Sequence, residues 1–359
     1  MDDPVRELAG YMGEQASGRG HLDGVLGHDG TMHTLDPSGI TGIGPCGEPR
    51  KMAFVDGGSA LLYDAPGCQV SINRTYYSLF RGGERLSPRA GPRLQFFSCV
   101  TSGMRAEGGE TVPSGNIKLF PYGGDDARRL PEEADLVPAP GEPDERSASM
   151  ARKFAEWRLA ERVIEEELGP GDVLVMDGSL QTSYDGEDKY ADRVYRGAAK
   201  AGVTVCGLSK QSRLVTASGE PLLDRVSEIA AGTTHDRWYL PVGKRLSEND
   251  KGFVFVVRLH PASDYIFRFE IFEDQYASMS SDETDSVLSS LAANSDDLSM
   301  PGYPYGAVDA DRFAQVRNHE AESYRSALLV ESTGVPGGDR VILYGRMLSA
   351  HGMLNRVTS

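Results

Sequence analysis

The order of strand-like and helix-like patterns between residues 51 and 206 is the feature that most restricts how this chain can fold. Four apolar runs bounded by turn residues come first, and they predict β-strands at residues 51–63, 69–80, 93–100 and 117–122. Apolar residues at helical spacing then predict a long helix that starts at Ser149 and ends before Gly169. A strand, a helix and a strand are predicted next, at residues 173–176, 187–201 and 203–206.

This order of elements requires a mixed sheet. The first three strands are joined by short turns and are expected to form an antiparallel meander, whereas helix crossovers make the later strands parallel to their neighbours. The predicted fold class is therefore α/β, with the element order of a ribonuclease H-like sheet and helical additions after it. These additions are predicted helices at 220–231, 282–294 and 307–328, and paired strands at 253–259 and 265–272.

The remaining segments complete the predicted domain organisation. Residues 1–50 contain a short predicted helix at 4–16 and a segment at 17–50 whose Gly and Pro content predicts a flexible loop. Residues 51–330 are expected to form the main domain, with 331–359 as its C-terminal extension. The chain contains neither a run of about 18 apolar residues nor the apolar core of a signal peptide, so a cytoplasmic protein without membrane contact is expected.

The charge balance limits how the chain can meet nucleic acid. The formal net charge is −16, with 29 Arg but only 8 Lys, a pattern that fits either a salt-rich cytoplasm or the base composition of the gene. A surface of this charge argues against nonspecific coating of nucleic acid. It does not exclude a nuclease, whose basic surface can be local and whose site uses carboxylates. The four cysteines include no CxxC pair, which argues against a zinc ribbon.

Two aspartates follow apolar strands and precede glycine. Asp56 follows Phe54-Val55, and Asp177 follows Val175-Met176. In open sheets with parallel strands, ligand sites lie beyond the carboxyl ends of the strands, and a following glycine lets backbone or substrate approach closely. A single Asp-Gly pair is also a common turn. Two such pairs, on strands that are expected to be neighbours, favour a functional site.

The long helix between these strands is expected to supply a third carboxylate. Glu156 lies beside Trp157 near the buried edge of the helix, although it is also four residues from Arg152 and suited to an ion pair with it. Carboxylates that lie close together repel one another, and a divalent cation relieves the repulsion. Oxygen ligands favour Mg²⁺ or Mn²⁺, which activate water for attack on a phosphodiester.

Two further segments carry groups suited to the same chemistry. The strand at 203–206 is followed by a loop with two cations, Lys210 and Arg213, which are expected to contact DNA phosphates. An ordinary surface lysine is the alternative for Lys210. A Gly/Pro turn that contains Tyr303 precedes a helix with Asp309 and Asp311. On its own, this second segment predicts only a loop followed by a helix.

Taken in order, these segments resemble the motifs of the NurA nuclease family, whose members process DNA ends in archaea and bacteria. Each segment is weakly specific alone, whereas five in the same order on the expected elements are fairly specific. They span about residues 50–320, and they are Phe54-Val55-Asp56-Gly57-Gly58-Ser59, Arg152-Lys153-Phe154-Ala155-Glu156-Trp157, Val175-Met176-Asp177-Gly178-Ser179-Leu180, Gly207-Leu208-Ser209-Lys210-Gln211-Ser212-Arg213, and Gly302-Tyr303-Pro304-Tyr305 with Asp309 and Asp311.

The resemblance implies a ribonuclease H-like, Mn²⁺-dependent DNA nuclease, with Mg²⁺ as a second candidate cation. The family's activities are 5′–3′ exonuclease and single-strand endonuclease in double-strand-break resection. Its partners are DNA, a second copy of the chain in a homodimer, and a hexameric HerA-type ATPase. By this resemblance Asp56, Glu156 and Asp177 match the metal-binding carboxylates. Tyr303 matches the family's site tyrosine, and Lys210 matches the basic residue after the last core strand.

One position departs from the family pattern. In the family, a histidine that helps to bind metal lies eight residues after the tyrosine, and Asp311 occupies that position here. Aspartate is itself a ligand of Mn²⁺, so Asp311 is expected to join the metal site. The departure leaves two alternatives open. One is a non-cleaving ribonuclease H-like scaffold that anchors a DNA-translocating ATPase, and the other is a ribonuclease H-like enzyme that cuts RNA or follows a guide.

Overall fold

The computed structural model describes residues 3–17, 24–107, 110–123, 126–138 and 145–345, and most strands in these ranges join one mixed sheet. In chain order the strands are β1 (Gly24–Leu26), β2 (Met32–Thr34), β3 (Thr41–Gly42), β4 (Lys51–Ala65), β5 (Cys68–Arg81), β6 (Glu84–Leu86), β7 (Arg93–Glu107), β8 (Glu110–Pro121), β9 (Val173–Asp177), β10 (Thr204–Ser209), β11 (Trp238–Lys244), β12 (Gly252–Arg258) and β13 (Phe267–Phe272). The helices are α1 (Pro4–Ser17), α2 (Glu145–Glu166), α3 (Glu187–Ala201), α4 (Leu222–Ala230), α5 (Glu273–Tyr276), α6 (Ser281–Ala293), α7 (Tyr305–Ala314) and α8 (Asn318–Glu331), and residues 338–345 are also helical. Within the described ranges, no helix has the length and apolar character needed to span a membrane.

Five neighbouring strands form the centre of the sheet, in the order β7-β5-β4-β9-β10. β5 is antiparallel to both β4 and β7, whereas β9 is parallel to both β4 and β10. α2 and α3 form the crossovers that make these strands parallel. This is the mixed arrangement that the sequence pattern predicts, and it is the strand order of the ribonuclease H-like fold. β8 extends the sheet on one side, and β13, β12, β11 and β3 extend it on the other.

Apolar side chains pack on both faces of this sheet. On one face α2 and α3 bury a cluster that includes Phe154, Trp157 and Tyr190. On the other face α6 and α7 contribute Leu288 and Ala310 to a second buried cluster. Burial on both faces explains why β9 is a continuous apolar run rather than an alternating one. The ends of the central strands are consequently the places where polar side chains reach solvent.

The segment at 17–50 differs from the predicted flexible loop. Its described part carries three short strands, β1 to β3, and β3 pairs with β11 at the end of the main sheet. Val25 and Leu35 belong to the same buried cluster as Trp238 and Leu240 of β11, a strand that the sequence pattern missed. The prediction failed because Gly and Pro dominate the composition, whereas a few apolar side chains anchor the segment. Residues 18–23 lie outside the described ranges.

The helix predicted at 307–328 is two helices, α7 and α8, separated by residues 315–317. At this break Arg74 of β5 donates from Nη1 to the Gln315 carbonyl at 2.6 Å and from Nη2 to Glu320 of α8 at 2.9 Å. A buried guanidinium needs such acceptors, so tertiary contacts override local helix propensity here. In the predicted C-terminal extension, residues 346–359 lie outside the described ranges.

Candidate active site

Asp56 and Asp177 lie side by side because their strands are parallel neighbours. β4 and β9 pair Val55 with Met176, and each aspartate is the next residue along its strand. β9 ends at Asp177, and the chain turns away through Gly178 at φ +96°, a conformation that favours glycine. β4 continues beyond Asp56 to Ala65, in agreement with the strand predicted at 51–63, so Asp56 follows the apolar run but does not end its strand. It lies instead where the neighbouring strand stops, and this leaves both carboxylates at an open edge.

Glu156 of α2 reaches the same edge from the helix layer. Its carboxylate lies against Gly57, where a β-carbon would overlap Oε1, and the residue is 4% exposed. Arg152 donates to Oε1 of Glu156, and Lys153 Nζ lies 3.1 Å from Oε2. Arg152 also donates to the Gly57 carbonyl at 3.1 Å. Glu156 is thus both the ion-pair partner of Arg152 and a member of the cleft that holds Asp56.

Lys210, Tyr303 and Asp311 close the other side of the cleft. Lys210 Nζ lies 2.9 Å from Asp311 Oδ1 and 3.6 Å from Asp177 Oδ1, and 5.7 Å from the centre of the Tyr303 ring. The buried Tyr303 hydroxyl donates to Asp177 Oδ1 at 3.3 Å. The structure therefore brings together six of the residues selected from the sequence, which are Asp56, Glu156, Asp177, Lys210, Tyr303 and Asp311.

Two other selected residues lie elsewhere. Asp309 is only two positions from Asp311, but it faces away from the cleft and forms an ion pair with Arg85 at 2.9 Å. Arg213 is exposed on the loop that follows β10. Asp309 is accordingly a structural residue between α7 and the β5–β6 hairpin, and contact of Arg213 with DNA stays a prediction.

The cleft also contains residues whose place in it was not predicted. The sequence predicts Arg152 only as an ion-pair partner and predicts no role for Lys153, yet both line the cleft with Gln181 and Tyr184. A usable signal was present for the two cations, because they precede Glu156 by four and three residues and so share its side of α2. No comparable signal marked the loop residues 179–184.

Burial and mutual repulsion dominate the electrostatics of the cleft. Burial, together with the charges of Asp177 and Glu156, raises the pKa of Asp56 to about 8. Burial also raises the pKa of Asp177, against the opposing charge of Lys210. Burial and the adjacent Asp177 raise the pKa of Tyr303, which keeps its hydroxyl protonated. Burial disfavours the charge on Lys210, but Asp177 and Asp311 outweigh it and raise the pKa of this amine.

The donor set of the cleft fits a hard divalent cation in its chemistry. The cleft has a volume of about 440 Å³ and is lined by Asp56, Glu156, Asp177 and Asp311. Among the described residues, no group of three or more His, Cys, Asp or Glu is arranged to hold a metal ion as it stands. Cations of the chain pair with Glu156, Asp177 and Asp311 instead, whereas Asp56 has no ion pair among the described residues and is left with a shortage of positive charge. Carboxylate oxygens that lack a nearby positive charge are suitable ligands for Mg²⁺ or Mn²⁺.

Solved structures and protein families give the context of this arrangement. The NurA nuclease from Sulfolobus solfataricus is 14% identical, with a TM-score of 0.49 over 93% of this chain and 96% of that chain. A second NurA crystal structure is 8% identical, with a TM-score of 0.48 over 95% and 100%. The Argonaute of A. aeolicus is 8% identical, with a TM-score of 0.34 over 74% of this chain and 28% of that chain. Among curated proteins, none matches the sequence.

The family comparison covers most of the chain. The model of the NurA domain matches residues 50–316. This range contains the central strands of the sheet, α2, and all six residues that the structure brings together in the cleft. The chain therefore belongs to the NurA family.

Proposed function

We propose that this protein is a metal-dependent deoxyribonuclease that hydrolyses phosphodiesters in the cleft described above. The observation that carries the proposal is the placement of Asp56 and Asp177 side by side where β9 ends, with the Glu156 carboxylate against the adjacent Gly57. Membership of the NurA family supports the same activity.

Mn²⁺ or Mg²⁺ held in this cleft would lower the pKa of a water molecule and offset the charge of the phosphodiester. Asp56, Asp177 and Glu156 are the proposed ligands. Both oxygens of Glu156 already accept from Arg152 and Lys153, but a carboxylate has about four acceptor positions, so capacity for a cation remains. Asp311 is proposed as a fourth ligand.

Tyr303 and Lys210 are proposed as donors rather than ligands. The hydroxyl of Tyr303 stays protonated, so it donates to Asp177 and fixes the orientation of that carboxylate. The Lys210 side chain is about 41% exposed, so its ammonium can leave Asp311 and bind a phosphate oxygen instead. In that position it would stabilise the negative charge on the phosphate. Arg213, exposed three residues later, is proposed to hold the DNA strand.

The finer activity and the partners are proposed from the family resemblance. They are 5′–3′ exonuclease and single-strand endonuclease activity in end resection, as a homodimer with a HerA-type hexameric ATPase. The charge of the chain supports a partner of this kind, because a protein at −16 repels DNA as a whole. An ATPase that feeds DNA into an enclosed channel requires only the channel to be basic.

Cleavage of end-labelled linear DNA, single- and double-stranded, tests the proposal in Mn²⁺, Mg²⁺ or EDTA. Asp177→Asn is compared with wild type and with Asp64→Asn, a matched change at an exposed position of β4. We expect cation-dependent cleavage by wild type and Asp64→Asn, and a loss of about a hundredfold or more in Asp177→Asn. Labels at the 5′ or 3′ end report the polarity. Full activity in a folded Asp177→Asn protein would exclude the assigned site.

One observation favours the scaffold alternative. Lys210 links Asp177 and Asp311, and a lysine in this position competes with a cation for the same oxygens. The cleavage assay separates the two functions when it is repeated with the ATPase present. Folded wild-type protein that binds the ATPase but never cuts DNA, in any cation, would establish the scaffold and overturn the nuclease.

A further inference from the structure

A small pocket lined by arginines lies on a different side of α2 from the cleft. Its volume is about 190 Å³, and its lining contains four arginines and two glutamates, Arg128, Arg129, Arg158, Arg162, Glu161 and Glu165. Arg158 and Arg162 are one helical turn apart and share a face of α2. Glu156 is two residues before Arg158, so it points to another side of the helix. The pocket is therefore separate from the carboxylate cleft.

Within the described residues, hydrogen bonds and ion pairs use only some of the N–H donors of these arginines. Arg158 pairs with Glu161 at 2.6 Å, whereas Arg129, in this part of the chain, has only a distant ion pair with Asp126 at 3.9 Å. Arg162 donates from Nη2 to the Gly91 carbonyl at 2.8 Å, but its Nη1 is buried and has no hydrogen-bond partner among the residues that the structure describes. A buried guanidinium nitrogen without an acceptor is costly, so Arg162 is short of acceptors in its present surroundings.

Like charges also face one another across this pocket. Burial and the neighbouring Arg129 lower the pKa of Arg162, against the opposite effect of Glu166. Glu166 lies 3.9 Å from Arg162 Nε, beyond hydrogen-bonding distance. The four arginines are matched in number by Glu161 and Glu165 in the lining and by Asp126 and Glu166 beside it, but Asp126 and Glu166 each lie 3.9 Å from the nearest guanidinium nitrogen. In the described part of the chain, Arg129 and Arg162 therefore have no carboxylate within hydrogen-bonding distance, and an oxyanion in the pocket would supply acceptors to them.

We propose that this pocket binds a phosphate group. Arginine presents a planar fork of N–H donors that matches the oxygens of phosphate in two-point contacts, and several arginines around one small pocket favour a multiply charged oxyanion. The group can be a free phosphate anion or a phosphodiester of a nucleic-acid strand, since both present the same oxygens. The proposal does not depend on the nuclease activity, because binding here needs neither the cleft nor a cation.

Calorimetric titration of the full chain in EDTA, at constant ionic strength set with chloride, tests this proposal. The ligands are inorganic pyrophosphate in one arm and a short single-stranded oligonucleotide without a terminal phosphate in the other. The variants are Arg129→Gln and Arg162→Gln, with Arg225→Gln on α4 as the control for loss of one charge. Arg128→Gln, at an exposed position, serves as the second pocket variant if Arg162→Gln does not fold.

We expect wild type to bind at least one of the two ligands. The pocket variants should bind it roughly tenfold or more weakly, with Arg225→Gln unchanged. Binding of pyrophosphate identifies a free phosphate site, and binding of the oligonucleotide alone identifies a phosphodiester site. The proposal is overturned if wild type binds neither ligand, or if the pocket variants bind as tightly as Arg225→Gln.

Discussion

Replacing Asp56 with asparagine should make the cation-free protein more stable. Wild-type Asp56 is 7% exposed, and burial with the charges of Asp177 and Glu156 raises its pKa from 3.8 to about 8. Between these two values the unfolded chain is ionised while the folded chain holds a proton. The raised pKa therefore destabilises the fold increasingly as pH rises from 3.8 to about 8, and it costs nothing below 3.8.

The size of the effect follows from the same shift. Between pH 3.8 and pH 7 the destabilisation of the folded state grows by about 1.36 kcal/mol per pH unit. At pH 7 it therefore amounts to about 4 kcal/mol. Part of this energy is the repulsion that Asp56 shares with Asp177, so removing one carboxylate recovers less than the full amount. Asparagine keeps the Oδ1 acceptor for the Gly57 amide. We therefore expect Asp56→Asn to gain about 2 kcal/mol at pH 7.

Unfolding followed by circular dichroism, in EDTA and then in Mn²⁺, measures this gain and its reversal. In EDTA the advantage of Asp56→Asn should grow between pH 4 and pH 8. In Mn²⁺ the wild type should recover, because a ligand present at 100 times its Kd stabilises the fold by about 2.7 kcal/mol. Asp64→Asn on the same strand is the matched control. An advantage that shrinks as pH rises, or a gain equal to that of Asp64→Asn, would refute the electrostatic explanation.

Two further changes test the packing around the site. Glu320→Gln should lower the free energy of unfolding by about 1 kcal/mol at pH 7, because it removes an ion pair with Arg74 that is partly screened by solvent. Arg74 lowers the pKa of Glu320 to about 2. The loss, measured by urea titration, should therefore shrink as pH falls from 4.5 towards 2. Gly58→Ala should cost about 1–3 kcal/mol because its β-carbon would overlap the Ala314 carbonyl, whereas Gly83→Ala, in open space, should cost little by the same measurement.

The core of the fold could be predicted because its local patterns and its tertiary contacts agree. The apolar runs of β4, β5, β7 and β9 and the helical spacing of α2 are each visible in the sequence, and their order leaves little freedom in the sheet. The edges could not be predicted in this way. Val25 and Leu35 lie in Gly/Pro-rich sequence, and they are buried because β11, β12 and α4 supply a distant partner surface. The break between α7 and α8 likewise depends on Arg74, more than 200 residues earlier.

The part of the candidate site that lies directly after apolar strand sequence could be predicted. Asp56 and Asp177 follow apolar strands, so the topology alone brings them together. Asp309 and Asp311 lie on the same helix after the tyrosine turn, and in the sequence only the family resemblance distinguishes Asp311, by its spacing of eight residues from Tyr303. The structure separates them by their direction on α7. Asp309 is held by Arg85, and Asp311 faces Lys210.

The distribution of charge explains why Asp56 is the residue most in need of a cation. The cleft contains four carboxylates and three cations, namely Asp56, Glu156, Asp177 and Asp311 with Arg152, Lys153 and Lys210. Arg152 and Lys153 form ion pairs with Glu156. Lys210 forms ion pairs with both Asp177 and Asp311. In the part of the chain that the structure describes, Asp56 has no ion pair, and its pKa is raised to about 8. A divalent cation at Asp56 would supply the missing charge without displacing the pairs of Glu156.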